Sequence, residues 1–197
     1  EGTLGVITEV TVKLYPVPEA VSAAVVNFPT MADAVNTVIQ TIQLGVPVAR
    51  SEFLCDQTIR AINAHSKTTL REAPTLFFEF HGSEPEVAHQ VKVVREIAAS
   101  HGGQDFAWAH RPEDRSRLWQ ARHDIWWANK GLRPGAEGLP TDVCVPISEL
   151  ADQIEAAQQD VRAEGLIAPI CGHVGDGNFH LCFMVDPSDA AEIARVK

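Results

Sequence analysis

Basic side chains are scarce in this chain of 197 residues: 16 Lys and Arg stand against 26 Asp and Glu, a formal net charge of -10 at pH 7. Binding to DNA or RNA is dominated by cationic contacts to phosphate, so no nucleic acid is expected as a partner. Long apolar runs are also missing. None approaches the roughly 20 residues needed to span a bilayer, and no transmembrane segment is expected. The four cysteines, Cys55, Cys144, Cys171 and Cys182, have no Cys-x-x-Cys spacing and sit among apolar neighbours. That pattern predicts buried free thiols and a reducing compartment. There is no helix-borne His-Glu-x-x-His and no second carboxylate cluster at ligand spacing, which disfavours a metal-dependent hydrolase.

What is present suits a folded domain. A hydrophobic content of 45% is ample for a core, in one domain or two small ones. Leu4 to Leu14 alternates apolar and polar residues, an extended pattern that ends at the Tyr15-Pro16-Val17-Pro18 boundary. The chain opens without methionine inside this alternation and closes within an apparent helix starting near Ser188, as a piece of something longer would.

Between those ends, strand and helix signals follow one another. Strands are predicted over 23–28, 49–54, 75–81, 105–110 and 142–145. Helices are predicted over 30–44, with Thr30 as N-cap and Gly45 past the end, and over 84–100, 112–130 and 147–163. Residues 131–140 read as a mobile loop. Two strand-helix-strand units predict an α+β fold, a ferredoxin-like, largely antiparallel sheet with helices on one face.

The most informative string is GHVGDGNFH, residues 172–180. On a helix, His173 and His180 would lie two turns apart, roughly 10 Å, too far to share an ion bound at about 2.0–2.1 Å. The Asp176-Gly177 pair and Gly175 favour chain reversal instead, and short apolar runs flank them. His173 and His180 then face each other across the mouth of a hairpin as half of a metal site, or they merely cap its strands. A third ligand has to come from elsewhere.

A second constellation lies on the helix over 112–130. Trp119, Arg122, Trp126 and Lys130 recur at intervals of three or four and so share a face. The fork of Arg122 matches a carboxylate, and the rings beside it exclude water, which makes small organic acids plausible ligands. The competing reading puts Trp119 and Trp126 in the core and pairs Arg122 with an internal acid.

Taken in order, EGTLGVIT, LWQARHDIWW, TDVCVP and GHVGDGNFH resemble the FAD-linked oxidase family, which includes D-lactate dehydrogenases, the glycolate oxidase flavin subunit and D-2-hydroxyglutarate dehydrogenase. The resemblance covers essentially the whole chain. It implies that residues 1–18 hold the last strand of an N-terminal FAD-binding domain of the vanillyl-alcohol oxidase type, and that 19–197 form most of the substrate domain. By position, Glu1, Gly2, Gly5, Val6 and Ile7 would pack against FAD, and Asn178 would reach the flavin. His173 and His180 match ligands of a divalent metal, zinc or manganese, and Arg122 matches the arginine that holds the substrate carboxylate.

Trp126 falls one helical turn beyond Arg122, on the substrate side. Hydroxyglutarate-type members have threonine where this chain has Trp126 and lysine where it has Pro140. Both departures remove contacts to a second carboxylate and favour D-lactate or a near relative over D-2-hydroxyglutarate, with a glycolate or D-2-hydroxyglutarate dehydrogenase as the alternative within the family. The resemblance further implies a glutamate ligand and a histidine base after residue 197, so the 197 residues alone are expected to bind FAD weakly and not to turn over.

Other expectations follow from the same likeness. They are a cytochrome, quinone or electron-transfer flavoprotein as electron acceptor, a homodimer, and a cytoplasmic, mitochondrial-matrix or membrane-peripheral setting. The rival from another class is a non-catalytic ferredoxin-like binding module.

Overall fold

The computed structural model describes residues 3–196. Its strands are β1 (Ala20–Asn27), β2 (Val48–Leu54), β3 (Thr75–Gly82), β4 (Gln104–Ala109), β5 (Glu137–Pro140), β6 (Val143–Cys144), β7 (Ile170–Gly172) and β8 (Asn178–Val185). They form one sheet in the order β4-β1-β3-β2-β7-β8-β5, with β6 also on β8, and every pairing is antiparallel.

Side chains alternate across this sheet because successive strand residues point to opposite faces. Phe78 and Phe80 of β3, Phe53 of β2 and Ile170 of β7 enter the larger core. That core is closed by α1 (Met31–Gln43), α3 (Glu84–Ser100) and α6 (Leu150–Ala163). Phe77, Leu54 and Cys171, one residue out of phase, enter a second core on the opposite face. There α2 (Asp56–Ser66), α4 (Pro112–His123) and α5 (Ile125–Lys130) supply Ile59, Ile62, Trp119 and Ile125. The α+β antiparallel sheet is as expected, with a second helical layer added to the expected one.

Local signals account for the well-placed helices. Thr30 Oγ1 accepts from Asp33 N at 3.1 Å, capping α1, and Gly45 follows its end at φ +70°. Ser83 and Glu86 form a capping box at the start of α3, whose Val87, Val91 and Val94 are buried.

Residues 3–18 lack regular structure and Leu4, Val6 and Ile7 are exposed, with no strand among the described residues to pair with their extended pattern. Three expectations need correction. The helix over 112–130 is broken at Asp124, whose carboxylate accepts from Gln120 Nε2 at 2.9 Å and from Ser66 Oγ of α2 at 2.7 Å. The expected loop over 131–140 contains β5, paired with β8 from Glu137↔Val185 to Pro140↔Cys182. Finally, Cys144 is exposed, whereas Cys55, Cys171 and Cys182 are buried free thiols.

The last described helix, α7 (Ala190–Val196), is clamped to the sheet through charge. Arg133 donates to Glu192 Oε1 at 2.7 Å and to the Met184 carbonyl at 3.1 Å, and Glu192 Oε2 accepts from Asp186 N at 2.8 Å. The Arg133 hydrogen bond holds the Glu192 carboxyl below its ordinary range. A depressed carboxyl pKa stabilises the fold above the unfolded value and loses that effect as pH falls through the folded value. Amide protection over 190–196 is therefore expected to persist at neutral pH and to fade below about pH 4. Glu192→Gln should reproduce that loss at pH 7 in a hydrogen-exchange measurement.

Candidate active site

Three backbone features bring the site together. The strand β2 pairs with β7 through Phe53↔Gly172, which sets Glu52 beside His173 at the end of β7. A 3-10 turn, Val174–Asp176, then reverses the chain into β8, with Gly177 at φ +73° in the left-handed region and its amide on the Val174 carbonyl. The last turn of α4 carries Arg122 over the same end of the sheet.

Glu52 is the charged group that joins these parts. Its side chain is 7% exposed; Oε2 accepts from Arg122 Nε at 3.0 Å, and Oε1 lies 2.8 Å from His173 Nδ1. A carboxylate paired with a guanidinium can only accept, so His173 is assigned as the Nδ1–H tautomer, with its Nε2 lone pair directed elsewhere. His180 is arranged in parallel fashion. Its Nδ1 lies 3.0 Å from the Thr141 carbonyl and 3.4 Å from Asp142 Oδ1, so it too donates there and keeps Nε2 as a lone-pair site.

The two rings meet edge to face, centroids 5.7 Å apart and planes at 87°. Two imidazoles on one tetrahedral ion bound at 2.0–2.1 Å reach a centroid separation of roughly 5 Å, so the pair needs only a small approach to share a cation. Among the described residues no group of three or more His, Cys, Asp or Glu is placed to hold a metal. Burial pushes the neighbouring thiols up, Cys171 to about 12 and Cys182 to about 11.

Arg122, Glu52 and His173 line a cavity of about 590 Å³, whose rim also carries Arg50, His123 and Asp176. Among the described residues, only the Nε edge of Arg122 is engaged. Trp126 and His180 lie outside this lining. The Trp126 ring instead packs over Gly138 beside Met184, so closely that a Cβ at Gly138 would meet it at 2.8 Å, and it is 39% exposed.

Asn178 donates to Asp142 Oδ1 at 2.7 Å and to the Val143 carbonyl at 3.1 Å, while its buried Oδ1 accepts nothing among the described residues. Such an orphan acceptor suits a donor brought by a bound group. Of the other expected cofactor contacts, Gly5, Val6 and Ile7 lie on the exposed arm, and Glu1 and Gly2 lie outside the described residues.

Sequence reading thus singled out both histidines and Arg122, which the fold brings to one end of the sheet, but not Glu52, Thr141 or Asp142, which bond to them. Glu52 had a legible signal, an acid flanked by Phe53 and Leu54 in a run otherwise suited to a buried strand. The competing reading of helix 112–130 was half right. Trp119 is core, 6.2 Å from the Phe77 ring, and Arg122 pairs with an internal acid, yet that acid belongs to the cavity.

Comparison with known proteins supplies the rest. The profile of FAD linked oxidases, C-terminal domain, matches residues 17–197. The chain belongs to this family. It is 50% identical over 196 residues to a protein of Danio rerio named "Probable D-lactate dehydrogenase, mitochondrial", covering 100% of this chain and 39% of that protein. It is 46% identical over 188 residues to "D-lactate dehydrogenase [cytochrome], mitochondrial" of Arabidopsis thaliana, covering 95% of this chain and 33% of that protein.

The FAD-linked oxidase chain thus spans between a third and two-fifths of these relatives' length. Among solved structures, 4-ethylphenol oxidase from Gulosibacter chungangensis superposes with a TM-score of 0.65 at 16% identity, over 93% of this chain and 43% of that one, a likeness of fold.

Proposed function

We propose that this FAD-linked oxidase domain forms the substrate side of an FAD-dependent D-2-hydroxy-acid dehydrogenase, with D-lactate as the acid that fits best. The observation that carries the proposal is the joint attachment of Arg122 and His173 to Glu52 at one cavity, with the His173 ring centroid 5.7 Å from that of His180. A carboxylate binds the terminal nitrogens of Arg122, a geometry that a guanidinium fork suits. His173 and His180 hold a divalent cation, zinc or manganese, through Nε2, with a third donor supplied from outside the described residues. When bound, the cation supplies Lewis acidity toward the 2-hydroxyl, and FAD supplies the acceptor for hydride.

The chain's own residues supply position. Arg122 fixes the acid end, and the imidazole pair fixes the neighbouring hydroxyl end, so the carbinol carbon between them is held in one orientation. Asn178 offers its orphan oxygen to the flavin. We assign the exposed arm, with Gly5, Val6 and Ile7, to packing against an FAD-binding domain, which would cover its apolar side chains. No helix among the described residues is long and apolar enough to cross a membrane. The names of the mitochondrial relatives support a mitochondrial setting and a cytochrome as electron acceptor.

Trp126 and Pro140 support a small acid by what they lack, although neither lines the cavity that holds Arg122. A bulky apolar ring over β5 and β8 offers no partner to a second carboxylate, and Pro140 offers no cation. With D-lactate, glycolate and D-2-hydroxyglutarate as substrates and a dye as acceptor, the intact protein should show its highest kcat/KM on D-lactate. D-2-hydroxyglutarate should be at least about tenfold poorer. The reverse order would overturn the choice of acid, and dye reduction with none of them would favour the binding-module reading.

A further inference from the structure

Resting on the metal and acid reading above, we propose that Glu52 is a positioning residue. Its one carboxylate orients a metal-binding imidazole and the substrate-binding guanidinium together.

Three observations carry this. First, Glu52 is a buried acid on a β-strand, 5% exposed as a residue, with both oxygens committed within 3.0 Å to different partners. Second, those partners are far apart in sequence: Arg122 is 70 positions away on α4 and His173 is 121 away after β7. Third, both partners face the cavity, with side-chain exposures of 23% and 46%. A buried ion pair is a weak source of stability compared with apolar packing, so one retained at a cavity wall calls for a further reason. The reason available here is geometric.

Each bond fixes one edge of a bifunctional group and presents the other. Accepting from Nδ1–H selects the His173 tautomer with Nε2 as donor to a cation and prevents ring rotation, the role carboxylates commonly play behind metal-bound histidines. Accepting from Nε of Arg122 leaves the two terminal nitrogens for the substrate and fixes the plane of the fork. Because the same carboxylate does both, the distance between the acid-binding and ion-binding edges is set by one rigid strand residue. His180 lacks this device and leans on the Thr141 carbonyl and Asp142.

The test is Glu52→Gln in the intact protein. An amide of the same shape accepts at one end only, so its NH2 must oppose either Arg122 Nε–H or His173 Nδ1–H. Competition of Zn2+ and Mn2+ against a chromogenic chelator, without substrate, should show about 10–100-fold weaker binding than wild type. KM for D-lactate should rise by at least about tenfold. A merely structural Glu52 would lower the melting temperature while leaving both constants unmoved in the folded protein.

FAD content reports folding. Should Glu52→Gln fail to retain FAD, Glu52→Asp, which keeps the charge one methylene short, must show the same two changes in smaller degree. A folded variant with metal affinity and KM within about threefold of wild type overturns the role of Glu52 alone. A wild-type protein that takes up no divalent ion overturns this inference and the functional reading together.

Discussion

Arg122→Ala in the intact protein is expected to lower kcat/KM for D-lactate by about two to three orders of magnitude, equivalent to about 3–4 kcal/mol of lost transition-state stabilisation. Two causes act together. The substrate carboxylate loses its paired charge-assisted hydrogen bonds, and Glu52, buried beneath, loses the cation on Oε2 and retains only His173. Arg122→Lys should recover little, because a point ammonium cannot bond Glu52 through one edge and a carboxylate through two others in a fixed plane. Steady-state kinetics with the dye acceptor measure both variants. An Arg122→Ala enzyme within tenfold of wild type would show that the acid is held elsewhere.

The second large effect is on metal content. His173→Ala should leave a single imidazole at the site and reduce bound zinc or manganese, by elemental analysis, to near background, since one imidazole with the third donor falls short of the usual three protein ligands. His180→Ala should do the same. Flavin content should remain close to wild type in both, because neither histidine lies in the larger core. Metal at wild-type stoichiometry in either variant would remove the two imidazoles from the site. Both substitutions should also abolish the hydroxyl-activating part of the reaction while sparing Arg122, so KM for the acid should change less than kcat.

Much of this architecture was legible before any coordinates. Strong periodicity and caps placed α1 and α3 closely, and the Asp-Gly turn in residues 172–180 indicated that His173 and His180 meet across a reversal. What escaped depended on partners distant in sequence. The helix α2 follows Cys55, an N-cap that makes no side-chain cap bond, and shows only a short apolar strip, Ile59 to Ile62. At the break, Asp124 accepts from Ser66, 58 residues earlier. The strand β5 carries Gly138 and Pro140, residues that suggest a loop, and exists because β8 offers it a ladder.

Glu52 escaped for the same reason. An acid in an apolar strand is visible as an anomaly, but its meaning requires knowing that β2 pairs with β7 and that α4 crosses above. The arm over residues 3–18 makes the converse point. Its alternation is a true strand pattern without a partner among the described residues.

The most direct measurement of the central claim is anaerobic reduction of the flavin in the intact, metal-loaded protein by D-lactate, followed as loss of the oxidised flavin absorbance. The account predicts rapid bleaching with D-lactate, little with L-lactate, and severe slowing once the divalent ion is removed. Flavin that stays oxidised with every 2-hydroxy acid tried, or bleaching that is indifferent to removal of the ion, would contradict it.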